Sequence, residues 1–170
     1  EIVYLFLYEN ELTSINENVW KSSTLVNLDL GDNLLSNLPS EGKINMPNLL
    51  YLNVNNNNVT VPASFGGIGE FPKLRFLFMV GNKMETFPDR FATLHSTLRY
   101  LAFARSNVST FPPYFAKFEK LTYFDARDNN IKLVDNTIIN LWKGKGMIAA
   151  YFAGNPVCPH EGLDCKPLCS

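Results

Sequence analysis

An α/β solenoid, a curved horseshoe with a parallel sheet on its concave face and irregular or short helical segments on its convex face, is the fold class this sequence predicts. Three observations lead there: a polar anchor that recurs roughly every 24 residues, apolar residues at fixed offsets from it, and a composition suited to one folded unit. The 170 residues are 46% hydrophobic, with a mean hydropathy near zero and a net charge of −1. That is enough apolar material for one buried core and too much for a disordered chain.

The anchors are Asn10, Asn33, Asn57, Asn82, Ser106, Asn129 and Asn155, spaced by 23, 24, 25, 24, 23 and 26 residues. Around Asn33 the stretch LVNLDLGDNLLSNLP sets Leu25, Leu28, Leu30, Leu35 and Leu38 into the scheme L-x-x-L-x-L-x-x-N-x-L-x-x-L. Leu74, Leu77, Met79, Met84 and Phe87 repeat it around Asn82, as do Leu98, Leu101, Phe103, Val108 and Phe111 around Ser106. Leu121, Phe124, Ala126, Ile131 and Val134 repeat it again around Asn129. About seven repeats follow, an array over 1–157 closed by a cap over 158–170.

These motifs resemble the leucine-rich repeat family, from Val3 to about Val157. The stretches FPDRF, FPPYF and VPASF after the motif look like the 24-residue type common in extracellular members. The second repeat departs from it: Gly42 stands where an apolar residue is expected, and Ile44 and Met46 are the residues available to fill the gap.

Physical chemistry accounts for each repeat position. L-x-L alternation has period two, so it forms a short strand with the leucines inward and the intervening residues outward. Stacked at about 4.8 Å, seven strands make a sheet roughly 30 Å wide. After each strand the chain turns while burying its backbone, and an asparagine amide both donates to and accepts from buried main-chain groups. Ser106 has a single donor, so the ladder is expected to be weaker there. Phe65, Phe91, Phe115, Phe118, Trp20 and Trp142 are expected to pack between repeats on the convex side.

Family members commonly bind ligands through the outward strand residues. The third repeat position holds Tyr4, Asn27, Tyr51, Phe76, Tyr100, Tyr123 and Ala149, and the fifth Phe6, Asp29, Asn53, Phe78, Ala102, Asp125 and Tyr151. Tyr51, Phe76, Tyr100 and Tyr123 are thus expected to form an exposed aromatic stripe. Phe78, Tyr151, Arg105, Asp125, Arg127 and Asp128 should flank it, and the small Gly81, Ala102, Ala104 and Ala153 should leave hollows. Exposed apolar patches mark interaction sites, and Tyr and Arg are enriched at binding hot spots. The residues therefore point to a groove for a protein or peptide. Cross-strand stacking and internal Arg–Asp pairing are the competing account of the same residues.

Cys158, Cys165 and Cys169 follow the array directly. Such a cluster is similar to the C-terminal caps of secreted and cell-surface members, and disulfides belong to oxidising compartments. Three is odd, so one thiol is free or has its partner outside the sequence. The rival account makes Cys158, His160, Cys165 and Cys169 a zinc site, against which the spacing speaks. Asn58-Val59-Thr60 and Asn107-Val108-Ser109 are glycosylation sequons at the same, tenth position of two repeats.

No enzyme is indicated. His95 and His160 lack a nucleophile and an orienting acid by repeat position. FGGIG at 65–69 and KGKG at 143–146 lack phosphate-loop spacing and are expected to be slack in longer repeats. Asp29 and Asp125 lie four repeats apart, too far for an acid–base pair. The basic residues form no run, so bulk charge marks neither a nucleic-acid nor an anionic-membrane binder, and no apolar stretch approaches the roughly 20 residues that span a bilayer. The first repeat is truncated, with its strand at Val3–Ile15 uncapped, so the natural chain is expected to continue upstream. Together these features indicate an extracellular recognition module, receptor-like or secreted, that needs no cofactor and no metal. An intracellular adaptor and a secreted enzyme inhibitor are the alternatives. The ligand's identity and the oligomeric state are not encoded in the pattern.

Overall fold

The computed structural model describes residues 1–60 and 63–158, the side chains of 63–66 excepted. Seven strands of three residues each form one parallel sheet in sequence order. They are β1 (Tyr4–Phe6), β2 (Asn27–Asp29), β3 (Tyr51–Asn53), β4 (Phe76–Phe78), β5 (Tyr100–Ala102), β6 (Tyr123–Asp125) and β7 (Ala149–Tyr151). Tyr4, Asn27, Tyr51, Phe76, Tyr100, Tyr123 and Ala149 are in direct register across all seven. Every strand therefore begins at the third repeat position, where the alternation placed it.

Between the outward residues, Leu28, Leu52, Leu77, Leu101 and Phe124 are fully buried. Burial of each such side chain stabilises by about 1.5–3 kcal/mol. Short 3-10 segments at Val19–Lys21, Ala63–Glu70, Asp89–Ser96 and Pro113–Lys117 run along the opposite side. Their rings interlock: Phe87 lies 4.9 Å from both Phe91 and Phe115, and Phe115 lies 5.1 Å from Phe118. Phe91, Phe115, Phe118, Trp20 and Trp142 are all buried, as the pattern required; the Phe65 side chain is outside the described set. In the second repeat Met46 is buried and Ile44 packs against the core, while Gly42 lies in a left-handed turn at φ +78° with no neighbour among the described residues within 4 Å of its Cβ position.

Two expectations need correction. FGGIG is not slack, because its backbone belongs to the 3-10 segment and a side chain would not fit. A Cβ on Gly67 would sit 2.6 Å from the Pro39 carbonyl, and one on Gly69 would sit 2.7 Å from that of Arg90. KGKG instead ends a helix, α1 (Asn136–Gly144), which the repeat pattern does not announce. The Asp135 carboxylate caps that helix by accepting from the Thr137 amide at 2.7 Å. Ile138, Ile139 and Trp142 bury its inner face, and Gly146 turns away with φ +75°.

The anchor asparagines form a ladder. Asn57 Oδ1 accepts from the Leu35 amide of the preceding repeat at 2.9 Å, while Asn57 Nδ2 donates to the carbonyls of Leu30, Val54 and Asn55. Asn33, Asn82, Asn129 and Asn155 do the same. Ser106 breaks the pattern as expected. Its hydroxyl is the donor near Met79 O and Ala104 O, and the Met84 amide must turn to the Ser106 main-chain carbonyl instead. The eighth position of every repeat has positive φ, and the two additional non-glycine residues with positive φ, Glu85 and Asn107, flank this altered rung.

Removing a ladder amide strands several buried groups, each worth about 1–3 kcal/mol. Asn57→Ala is expected to lower stability by about 3 kcal/mol or more, read as a fall in the denaturant midpoint of unglycosylated protein. Asn58→Ala, at the exposed neighbour, should stay within about 0.5 kcal/mol. Equal shifts for the two variants would remove the ladder from the account.

Candidate partner-binding face

The outward strand residues assemble as a row of rings. Tyr51 lies 6.5 Å from Phe76 and 5.1 Å from Phe78; Phe78 lies 4.8 Å from Tyr100. Tyr100 and Tyr123 are parallel at 3.9 Å, and Tyr123 meets Tyr151 edge-on at 5.5 Å. Register puts Tyr51 beside Phe76 and Tyr100 beside Tyr123 at the same position of adjacent strands, while Phe78 and Tyr151, two residues further on, meet third-position rings diagonally.

The row is less exposed than the sequence suggests. Phe76 is 38% exposed, whereas Tyr51, Phe78, Tyr100, Tyr123 and Tyr151 are half-buried against one another. Stacking each ring on the next hides a face and leaves an edge, so the site is a ledge of ring edges. Ala102, Ala104 and Ala153 are only 4%, 5% and 8% exposed. The expected hollows over them are therefore largely covered.

Charge placement also differs. Asp125 is 5% exposed, and both its oxygens are held by one guanidinium: Arg127 Nε donates to Oδ1 at 2.8 Å and Nη2 to Oδ2 at 2.6 Å. Asp125, expected among the groups that flank the stripe, is taken up by this internal ion pair. It positions Arg127, whose guanidinium lies 5.7 Å from the Tyr151 ring centre. Arg105 and Asp128 are exposed in left-handed turns at φ +54° and +53°.

At the other end the face is polar and internally knit. Asp29 Oδ1 accepts from the Gly31 amide at 3.0 Å and from Asn53 Nδ2 at 2.9 Å, and Asn55 Oδ1 accepts from the Val80 amide at 2.7 Å. Beyond it, Tyr4, Phe6 and Tyr8 are 62%, 57% and 51% exposed. They are the most open aromatics on this face, at the third, fifth and seventh positions of the first repeat.

Other expected sites separate from this face. Asn58 and Asn107 are exposed at the turn following the strands. His95 is exposed on the convex 3-10 segment, with Nδ1 2.9 Å from the Ala92 carbonyl. No group of three metal-ligating side chains occurs among the described residues, and no helix among them is long and apolar enough to cross a membrane. Of the cap residues only Cys158 is described; His160, Cys165 and Cys169 lie outside the described residues.

Comparison with known proteins agrees with this geometry. A family model described as a leucine rich repeat matches residues 23–84. Human keratocan is 33% identical over 128 residues, covering 74% of this chain and 33% of keratocan. The chain belongs to the leucine-rich repeat family. Keratocan from Gallus gallus is 28% identical over 123 residues, covering 71% of this chain and 32% of that protein. The chain thus spans about a third of the length of the curated relatives it matches. In fold it is similar to a leucine-rich repeat protein of Leptospira interrogans, with a TM-score of 0.69 at 21% identity over 91% of this chain and 44% of that one. An internalin of Listeria monocytogenes gives a TM-score of 0.66 at 16% identity, over 89% and 40%.

Electrostatics distinguish the tyrosines of this repeat protein. Burial, and then the hydrogen bond with Tyr123, hold the Tyr100 phenol well above its ordinary pKa. Burial, and then nearby Asp29, raise Tyr51. The folded state therefore binds these protons more tightly than the unfolded state, so their stabilisation is complete below the unfolded value near 10 and falls as pH rises above it. Stability is expected to decline from about pH 10 upward. The decline should be shallower in Tyr100→Phe; denaturant midpoints at several alkaline pH values check this, and equal decline in both proteins would contradict it.

Proposed function

We propose that this chain is an extracellular recognition module that holds a protein or peptide ligand against the aromatic ledge of its concave face. The observation that carries this is the continuous row from Tyr51 to Tyr151, with Phe76 38% exposed at its centre. Ring edges set on rigid strands bury apolar area on binding with little loss of side-chain freedom. Phe76, Tyr100 and Tyr123 would supply the buried anchors, Tyr51, Phe78 and Tyr151 the flanks, and Arg127 and Arg105 the charged contacts. Asp125 would keep Arg127 oriented.

Two features support the extracellular part of the proposal. Asn58 and Asn107 are exposed, as glycan acceptors must be, and both stand at the turn after the strands rather than on the ledge. The disulfide at Cys158 suits an oxidising compartment. The family's common role as a protein-binding scaffold fits the ledge.

An interaction screen with the secreted protein would supply the partner, and affinity measured on ledge variants tests the site. Phe76→Ala and Tyr123→Ala are each expected to weaken binding about 10-fold or more, with unfolding midpoints showing that the fold persists. Full affinity in both variants would move the site elsewhere. Separately, mass spectrometry finding three free thiols and bare Asn58 and Asn107 would overturn the extracellular assignment.

A further inference from the structure

Parallel strands all run one way, so residues just before the strands share one rim of the solenoid and residues just after them share the other. On the leading rim, three consecutive repeats bring four cations together. Lys73, Arg75, Arg99 and Lys120, with the hydroxyl-bearing Ser96 and Thr97, line a depression of about 120 Å³ that has no acidic residue in its wall. Arg75 and Arg99 hold the same repeat position just before neighbouring strands, as do Lys73, Thr97 and Lys120 two residues earlier. Like charges at adjacent positions repel, and among the described residues none of the four takes part in an ion pair.

The group is held in place by its surroundings. Lys73 Nζ donates to Asn48 Oδ1 at 2.7 Å. The Arg75 carbonyl accepts from the amides of Arg99 and Tyr100, and the Arg99 carbonyl from the amide and hydroxyl of Thr122. Arg75 and Arg99 therefore rise from pinned main chain. A second depression, which shares Ser96 and Lys120, extends the surface toward His95 and Lys117, with Glu119 its one acidic residue.

We propose that this leading rim is a binding site for a sulfated polysaccharide. Guanidinium forks match tetrahedral oxyanions in two-point hydrogen bonds, ammonium groups add point charge, and the serine and threonine hydroxyls can donate to sulfate or sugar oxygens. A chain with sulfates at regular intervals fits cations that recur from repeat to repeat. The depression has no aromatic ring on which a base could stack. Polysaccharide of this kind belongs outside the cell, so the proposal rests on the extracellular reading. It also uses the rim opposite Asn58 and Asn107, which glycans there would leave open.

The test is equilibrium binding of the purified, folded chain to heparin and to unsulfated heparosan of matched length in 0.15 M NaCl. Heparin should bind, more weakly as salt rises, and heparosan should not. Arg75→Gln with Arg99→Gln, and Lys73→Gln with Lys120→Gln, should each reduce heparin affinity at least 10-fold. Arg75→Lys with Arg99→Lys should lose less than the glutamine pair, because the charge stays while the two-point fork is gone, and the distant pair Lys132→Gln with Lys145→Gln should leave affinity unchanged. No binding to heparin, equal binding to heparosan, or equal affinity across all variants would overturn the site. Tighter binding to single-stranded RNA or to phosphatidylserine vesicles than to heparin would overturn it too. Failure of the extracellular reading would show differently, as bare sequons and free thiols in the cell-derived protein.

Discussion

The buried asparagine amide is the interaction on which the rest depends. A chain that turns sharply after a three-residue strand must bury carbonyl and amide groups that no second strand can pair. One side chain with two N–H donors and one carbonyl meets that demand, linking each turn to the preceding repeat. Asn57 and Asn129 each engage four main-chain groups or more. Ser106 shows what a smaller donor does: main-chain carbonyl replaces amide oxygen, and left-handed backbone appears at Glu85 and Asn107 on either side.

Once the ladder sets the spacing, the concave face follows. Register places third-position side chains in line, so Tyr51, Phe76, Tyr100 and Tyr123 become neighbours although about 24 residues separate each from the next. Much of this was legible in the sequence, because period-two alternation and a repeated anchor are local signals. The strand positions, the buried leucines and the outward tyrosines all came from them. What the signals lack is information on how outward side chains settle against each other. Stacking made the stripe half-buried, Asp125 sank beneath Arg127, and the alanines were covered. The ring stacking depends on pairs of residues from different repeats, and the Asp125–Arg127 pair on side-chain geometry within one repeat that period-two alternation does not encode.

The convex side was less legible for a related reason. Beyond the P-x-x-F shared by three repeats its segments differ in sequence, so the close approach of Gly67 to Pro39 and the helix capped by Asp135 could not be read from the repeat. The cationic rim is the same lesson in charge. Lys73, Arg75, Arg99 and Lys120 form no run, and only stacking of three repeats unites them. The solenoid thus presents an aromatic ledge, a cationic leading rim and a trailing rim with two exposed sequons, three surfaces from three positions of one repeat.

The central claim is that the ledge, and not the rims or convex side, holds the protein ligand. Hydroxyl-radical footprinting of side chains with and without the partner tests it most directly. The account predicts that oxidation of Tyr51, Phe76, Tyr123 and Tyr151 falls on partner binding while that of His95 and Leu133 on the convex side does not change. Protection confined to His95 and Leu133, with the four ledge residues unchanged, would contradict it.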